Sequence, residues 1–244
     1  MKKEYIGLRF DSLIKPSDNW NFSPVRYPRL ENGKSHGYIP GDIYANCFWY
    51  YAKAGDVVVD PMAGSGMAKV VYEDRESWMG THIYDFDLQI FDLTPEQPYI
   101  RQHNLLESFP VSKPDYVFID LPYYGMVNKV YSHHEQDLAN MGLEEYVSAL
   151  YCISKNCAAA QMEGKKCTVV SPNYRNTSTG EIIMITMHII AAWQEAGYFL
   201  YDKAYSSRRI QKAQNTGMAV LNNVAKASRV MLTDISEILT FQKR

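Results

Sequence analysis

The sequence predicts a doubly wound α/β fold in which a mostly parallel sheet ends in an antiparallel strand pair. From about residue 54, short β-branched runs alternate with longer stretches of helical spacing, as expected for a parallel sheet covered by helices. The short runs are continuously apolar, which is typical of strands buried on both faces. After Gly197 the pattern changes to two apolar segments separated by a polar stretch, which favours two closing antiparallel strands.

Each predicted strand is a compact apolar run bounded by glycine, proline or acidic residues. Helices are predicted where apolar residues recur at helical spacing, and Gly164 and Gly197 stand where two of these helices should stop. The predicted strands are residues 57–60, 79–84, 99–102, 116–120 and 167–171, followed by 198–206 and 230–243. The predicted helices are residues 67–76, 143–161 and 181–196.

Composition excludes several classes of protein. The 244 residues are 46% hydrophobic and 21% charged, which fits an ordinary globular domain and not a disordered or collagen-like chain. A formal charge of −2 gives no global basic field, so any site for a polyanion must be local. The four cysteines form no C-x-x-C pair, and we expect free thiols and no metal.

The chain is expected to be cytoplasmic and to have no membrane partner. Charged residues at positions 9 and 11 interrupt the N-terminus before a signal-peptide core could form. The longest uncharged runs have about 13 residues, whereas a membrane-spanning helix needs roughly 20. Residues 1–35 contain prolines without clear periodicity and predict an N-terminal arm, while residues 36–244 predict one domain with a variable basic loop at 206–230.

A turn of small residues follows the first predicted strand. Asp60 ends that strand and is followed by Met62 and by the turn Ala63, Gly64, Ser65 and Gly66. In open α/β sheets ligands bind beyond the carboxyl ends of strands, where glycine lets the backbone approach them closely. The spacing gives neither G-x-G-x-x-G nor G-K-[ST], which disfavours a dinucleotide or P-loop phosphate site. A tight turn without a ligand is the alternative.

The next predicted strand would place an acidic residue beside this turn. Asp85 follows the predicted strand 79–84, and its carboxylate could accept hydrogen bonds from both hydroxyls of a ribose. We therefore expect an adenosine-containing ligand, with Phe86 beside Asp85 as part of its site.

The segment DPMAGSG at residues 60–66 resembles the S-adenosylmethionine-binding motif of the amino-group DNA methyltransferases, usually written DPF-x-GSG-T. A second motif, DLPY, follows the predicted strand 116–120 and resembles the catalytic tetrapeptide DPPY of the N6-adenine and N4-cytosine enzymes. The two motifs stand in the family's order at successive strand ends. The resemblance implies the class I methyltransferase fold, S-adenosyl-L-methionine as cofactor, and catalysis by Asp120, Leu121, Pro122 and Tyr123.

The chemistry of a base amine explains these residue types. Its nitrogen is a poor nucleophile because the lone pair is delocalised into the ring. The Asp120 carboxylate and the Leu121 backbone carbonyl can accept both amine hydrogens and stabilise the positive charge that develops on nitrogen. Pro122 would stiffen the turn, and Tyr123 would stack on a base extruded from its helix. Methylation of a cytosine carbon would need a cysteine, usually after a proline, and no proline here precedes one.

Other positions resemble further parts of the family's pattern. The segment before the first motif is similar to the lead-in that covers the methionine part of the cofactor and implicates Tyr38, Ile39 and Pro40. Asn104 and Leu105 end the third predicted strand, where the family often has an acidic residue that contacts the adenine amine. The resemblance thus extends the expected cofactor site to both segments.

Nucleic acid is expected to contact a local basic stretch and the rim of the active site. Residues 203–229 carry six basic side chains and no acidic one, so phosphate contact competes with the simpler interpretation of a solvated face. The chain shows no separate target-recognition segment, which leaves the target sequence open. The candidate nucleic-acid-binding residues are Tyr124, Asn173, Arg175, Arg208, Arg209 and Lys212.

The resemblance implies a site-specific DNA methyltransferase, acting on adenine N6 in the first place, of the kind found in restriction-modification systems. Methylation of cytosine N4 or of an RNA base amine stays open as an alternative. A non-catalytic methyltransferase-fold subunit of a larger complex is a second alternative, because Leu121 replaces the usual proline. A partner subunit or a homodimer is compatible with either. A dehydrogenase is a third alternative, which binding of NAD would favour.

Overall fold

The computed structural model describes residues 14–22, 39–79, 85–125, 132, 134–176, 179–207, 226–227, 231 and 235–244. In this part of the chain the strands, in order, are β1 (Val57–Asp60), β2 (Asp87–Asp92), β3 (Arg101–Gln102), β4 (Tyr116–Asp120), β5 (Lys166–Pro172), β6 (Tyr174–Arg175), β7 (Ile182–Ile183), β8 (Tyr198–Ser207) and β9 (Ile235–Lys243). The helices are α1 (Gly41–Tyr51), α2 (Met67–Glu73), α3 (Arg75–Met79), α4 (Leu143–Ala160) and α5 (Ile185–Glu195), with a 3₁₀ turn at Leu138–Asn140.

Seven of the described strands form one sheet in the order β3-β2-β1-β4-β5-β9-β8, and β6 and β7 form a small hairpin. Strands β1 to β5 run parallel, whereas β9 is antiparallel to both of its neighbours. The predicted doubly wound, mostly parallel sheet with a closing antiparallel pair is therefore confirmed. Its strand order reverses between β1 and β4, and such a switch point opens a crevice at the carboxyl ends of the two strands.

Side-chain alternation along the central strands divides the core between the two faces of the sheet. On β4, Tyr116 and Phe118 pack with α1 and α2, whereas Val117 and Ile119 pack with α4 and α5. All four side chains are fully buried. A strand covered on both faces holds its carboxyl end firmly, because its register cannot slip without exposing apolar residues. The β4 end is thus a rigid base for functional groups.

Several predicted elements differ from the observed ones. Of the strand predicted at 79–84, Met79 ends α3 and residues 80–84 lie outside the described part of the chain, while the observed strand β2 begins at Asp87. The helix predicted at 67–76 is divided at Asp74, which separates α2 from α3. Helix α5 begins at Ile185, four residues after its predicted start, because β7 precedes it.

Residues 14–22 pack against α1 and the outer edge of β8. The backbone of Trp20 donates to the Tyr205 carbonyl at 2.8 Å, and the Tyr205 N–H donates to Asp18 at 2.7 Å. The Trp20 ring is buried and stacks near Tyr50 of α1. None of the helices in the described part of the chain has the length and apolar character needed to span a bilayer.

Candidate active site

A cleft opens at the carboxyl ends of β1, β2, β3 and β4, at the switch point of the sheet. It encloses a cavity of about 170 Å³. The loops after these four strands form its walls, together with Tyr44 of α1 and the segment around the 3₁₀ turn. The lining residues are Tyr44, Pro61, Met62, Ala63, Gly64, Ser65, Met67, Asp92, Leu93, Thr94, Glu96, His103, Asn104, Leu105, Leu106, Asp120, Leu121, Pro122, Tyr123, Gln136, Asp137 and Leu138.

The small-residue turn after β1 forms one wall of the cleft, and its geometry requires glycine twice. Gly64 has a φ of +49° and Gly66 a φ of +90°, values that side chains rarely adopt. A Cβ on Gly66 would also lie 2.8 Å from the hydroxyl oxygen of Tyr99. The Ser65 side chain is nearly buried, and its Oγ has no hydrogen-bond partner among the described residues. The turn therefore holds a polar atom that a ligand could satisfy.

Asp92, at the carboxyl end of β2, joins the second strand to this turn. Its Oδ2 accepts from the N–H of Gly64 at 2.8 Å, and its Oδ1 accepts from Thr94 at 2.9 Å. Burial raises the pKa of the Asp92 carboxyl, with a further contribution from the charge of Asp137. Each carboxylate oxygen keeps acceptor capacity beyond these bonds. Sequence reasoning missed Asp92 because the strand was placed too early.

The expected position of Asp85 and Phe86 in the cofactor site is wrong. Asp85 precedes β2 and so lies near the amino end of that strand, whereas the cleft lies at the carboxyl ends of the strands. Its side chain is 82% exposed and pairs with Arg75. The Phe86 ring is buried against Tyr72 and Phe48. The acidic residue that lines the cleft at the carboxyl end of β2 is Asp92, seven positions later.

Asp60, at the end of β1, is fully buried behind the turn. Its Oδ1 accepts from the Met62 N–H at 3.1 Å, while its Oδ2 is without a partner among the described residues. Burial raises the pKa of Asp60 to about 8, and the charge of Asp92 adds to the shift. Such a carboxyl is poised to ionise when a cation comes near it.

The turn after β4 is anchored on both sides of the predicted catalytic residues. The Leu121 N–H donates to the Val170 carbonyl at 3.2 Å, and the hydroxyl of Tyr146 donates to the Pro122 carbonyl at 2.9 Å. The Leu121 side chain is buried against α4. Asp120 keeps part of its surface open to the cleft, but its Oδ1 is buried without a partner in the described structure.

The cleft carries a concentration of acidic side chains. Four acidic residues line it, and no lysine or arginine does so among the described residues; the four are Asp92, Glu96, Asp120 and Asp137. The pKa of Asp120 is raised well above its usual range by burial, and by the charge of Asp60. Burial raises the pKa of Tyr44, as do the charges of Asp60 and Asp120. Electrostatically, the site suits a cation.

The two described residues of the predicted lead-in, Ile39 and Pro40, do not line the cleft. Ile39 is buried in the core, and the Pro40 carbonyl accepts from Ile43 at the start of α1. Neither lines the cleft, and Tyr38 lies outside the described residues. Tyr44, four residues after Pro40, lines it instead. One turn of helix separates Pro40 from Tyr44, so helical spacing from the lead-in could have found this residue.

Asn104 and Leu105 line the cleft after β3, but the Asn104 side chain is already engaged. Its Oδ1 accepts from Leu106 at 3.1 Å, and its Nδ2 donates to Glu107 and to Gln136. These bonds connect the β3 loop with the segment that leads into the 3₁₀ turn. Asn104 thus shapes the cleft wall, and one further acceptor position remains on its Oδ1.

Tyr124 and Asn173, two of the residues predicted to contact nucleic acid, differ in whether their side chains are available. Tyr124 follows Tyr123 of the cleft lining, with its ring 5.4 Å from that of Tyr146 and 5.5 Å from that of Tyr174 on β6. Asn173 is not available to hold a base, because its Nδ2 donates to Glu237 at 2.7 Å and its Oδ1 accepts from Thr186 at 3.0 Å.

The predicted basic contacts are tested only in part by the described residues. The Arg175 Nη1 donates to the Gly180 carbonyl at 2.7 Å, which holds the β6–β7 hairpin, and its Nε has no partner in the described structure. Arg208, Arg209 and Lys212 lie outside the described residues. The contacts expected from these three side chains remain predictions.

Comparisons with known proteins identify the fold. No family model matches this chain, and no curated protein does. The structure of geranyl diphosphate C-methyltransferase from Streptomyces coelicolor A3(2), in complex with Mg²⁺, geranyl-S-thiolodiphosphate and S-adenosyl-L-homocysteine, aligns with a TM-score of 0.51 and 11% identity, over 83% of this chain and 76% of that chain. A geranyl diphosphate methyltransferase in complex with SAM gives a TM-score of 0.51 and 10% identity, over 84% of each chain.

TrmN from Thermus thermophilus aligns with a TM-score of 0.48 and 12% identity, over 85% of this chain and 50% of that chain. The chain thus spans about half the length of TrmN. At these identities the likeness concerns the fold alone.

Proposed function

Because the chain has the class I methyltransferase fold, we propose that it transfers a methyl group from S-adenosylmethionine to the exocyclic amine of a nucleic-acid base, in the first place adenine N6 in DNA. One observation carries the proposal. The Asp120 Oδ1 atom is buried without a donor at the wall of an acidic cleft, beside the backbone of Leu121. An acceptor left unsatisfied in this way costs free energy unless a ligand donates to it.

The residues of the cleft fit the proposed cofactor. S-adenosylmethionine carries a sulfonium and an ammonium group, and the four acidic residues of the lining favour such charges. Asp92 can accept from the ribose hydroxyls, and the Ser65 Oγ atom is available to a polar group of the ligand. A dinucleotide would instead bring a diphosphate against these carboxylates. This argues against the dehydrogenase alternative.

When bound, S-adenosylmethionine supplies an electrophilic methyl carbon whose leaving group is a neutral thioether. The chain's part is to hold the amine. Asp120 and the Leu121 carbonyl accept its two N–H groups, which directs the nitrogen lone pair toward the methyl group and stabilises positive charge on nitrogen. Tyr123, which lines the cleft, and the adjacent Tyr124 provide aromatic faces for the base.

The electron and proton balance assigns a second role to Asp120. The amine lone pair forms the new N–C bond as the S–C electron pair returns to sulfur, which leaves the methylated nitrogen positively charged. One proton must then depart from that nitrogen. Asp120 can accept it at a carboxylate oxygen. No covalent enzyme intermediate is required.

The choice of nucleic acid rests on the motif resemblance, since the DLPY tetrapeptide is similar to the catalytic motif of the base-amine enzymes. The aromatic rings of Tyr123, which lines the cleft, and of Tyr124, which lies near Tyr174, suit an extruded base. Phosphate groups would be bound by Arg208, Arg209 and Lys212 of the basic loop.

The test is the transfer of labelled methyl groups to unmethylated duplex DNA, single-stranded DNA and total RNA, followed by mass spectrometry of the nucleosides. We expect N6-methyladenine in DNA. Label in N4-methylcytosine or in an RNA base would keep the chemistry and correct the substrate. Absence of label on every nucleic acid, despite measurable cofactor binding, would contradict the proposal and favour a non-catalytic subunit. The Asp120→Asn variant is the matched control for contaminating activity.

A further inference from the structure

The hydrogen-bond ladder between β4 and β5 ends at an unusual residue. The two strands pair in parallel, with Asp120 opposite Val170, and the Leu121 N–H continues the ladder by donating to the Val170 carbonyl. In a parallel ladder, a residue that lies opposite position j of the neighbouring strand donates its N–H to the carbonyl of position j−1. Its own carbonyl then accepts from the N–H of position j+1. For Leu121 that donor would belong to residue 172. Residue 172 is a proline, which has no N–H.

Pro172 is the last residue of a central strand, where proline is rarely found. Strand β5 lies between β4 and β9, and Pro172 is opposite Ser236 of β9. Since alternate residues of a strand bond to opposite neighbours, Val170 and Pro172 present their backbone groups to the same side, that of β4. The missing donor is therefore the one that would face Leu121.

The carbonyl of the next residue, Pro122, does have a hydrogen-bond donor. Pro122 has its carbonyl bonded by the Tyr146 hydroxyl at 2.9 Å, and Tyr146 is fully buried. No described residue donates to the Leu121 carbonyl, either from its backbone or from its side chain. The turn thus fixes one carbonyl and leaves the adjacent one open, beside the unpartnered Asp120 Oδ1.

We propose that Pro172 is a positioning residue which, by withholding a backbone N–H, keeps the Leu121 carbonyl free for the second hydrogen of the substrate amine. The inference rests on the proposed function and deepens it. Two open acceptors on consecutive residues match a group with two hydrogens on one nitrogen, and a hydroxyl has only one hydrogen to donate. Pro172 therefore contributes to the choice of a primary amine as the methyl acceptor.

The experiment compares two replacements that share a methyl side chain. Pro172→Ala restores an N–H at the ladder position, whereas Pro172→lactic acid, introduced by translation with a hydroxy acid, places an ester oxygen there. We expect Pro172→Ala to lower kcat by about 100-fold, as when one preorganised group is lost at a site of charge development. Pro172→lactic acid should retain most of the wild-type kcat. Both should bind S-adenosylmethionine as the wild type does.

A measurement independent of activity separates this inference from the proposed function. By nuclear magnetic resonance, the new amide of the Pro172→Ala variant should exchange slowly with deuterated solvent, because it donates to Leu121. An unprotected amide, or equal loss of kcat in both variants, would overturn the role of Pro172. If the wild-type chain methylates no base amine while the new amide is protected, the proposed function fails. The claim that Pro172 leaves the Leu121 carbonyl without a hydrogen-bond donor is then still supported.

Discussion

Asp92 accepts a hydrogen bond from the backbone N–H of Gly64 at 2.8 Å, which ties the end of β2 to the glycine turn after β1. The bond joins two loops that come from neighbouring strands and form adjacent walls of the cleft. A carboxylate that holds a turn in this way still has lone pairs for a ligand. The same side chain therefore holds the turn and lines the cleft in which we propose that the ribose binds.

Replacement of Asp92 should weaken cofactor binding. In Asp92→Asn the side chain loses its charge and one acceptor, and hydrogen bonds to charged groups are worth about 1.5–3 kcal/mol. We expect the Kd for S-adenosylmethionine to rise about 10-fold or more, measured by isothermal titration calorimetry. Asp85→Asn is the matched control, because Asp85 lies at the other end of β2 and is exposed. Equal weakening by both variants would contradict this assignment.

Asp120→Asn should abolish transfer without abolishing cofactor binding. The amide keeps the approximate shape but cannot accept a proton, and its NH₂ group would oppose the substrate amine. We expect kcat to fall by at least about 100-fold. The variant should also unfold at a higher temperature at pH 8, because it removes a carboxylate whose pKa burial raises. Wild-type kcat in the variant would exclude Asp120 from catalysis.

The free energy of unfolding should fall as the pH rises from about 4 to about 8. In the folded chain the pKa of Asp60 is about 8, against 3.8 for an unperturbed carboxyl, so the folded state binds more protons than the unfolded state within this window. Urea unfolding at pH 5, 6.5 and 8 measures the slope. The slope should be smaller in Asp60→Asn, and a slope unchanged by the substitution would show that Asp60 titrates normally.

Gly66→Ala should destabilise the fold through the backbone of the turn. A φ of +90° is unfavourable for alanine, typically by about 1–2 kcal/mol, and its Cβ would lie 2.8 Å from the Tyr99 hydroxyl oxygen. The double variant with Tyr99→Ala should recover only the steric part of the loss. Gly142→Ala serves as the control, since Gly142 has a φ of −66° and the nearest atom to an added Cβ is 3.8 Å away.

The fold was predictable because buried parallel strands consist of continuous runs of apolar residues, which are visible in the sequence. The runs at 57–60 and 116–120 carry the two motifs, and both end where the sequence places them. β2 was misplaced because its segment, DLQIFD, mixes polar and apolar residues, and its exposed first residue hides the strand's start. That shift moved the acidic residue of the expected ribose site from Asp92 to Asp85.

The site itself was less predictable, because several of its features are tertiary contacts. Tyr44 reaches the cleft from α1, and the Asn173 side chain donates to Glu237, which lies 64 residues further along the chain. Neither contact is indicated by a local pattern in the amino-acid sequence. The open carbonyl of Leu121 depends on the register of β4 against β5, which becomes visible only when the two strands are paired.

The pairing of residues 18–20 with Tyr205 has a consequence for association between molecules. A sheet edge with free N–H and carbonyl groups is a template on which another chain can add a strand and begin aggregation. Here β8 is shielded at Tyr205 by Asp18 and Trp20, and a bulge between Leu200 and Asp202 bends the rest. The opposite edge, β3, is two residues long. The described sheet thus offers neither edge as a long flat template, and strand addition is an unfavourable route to a dimer.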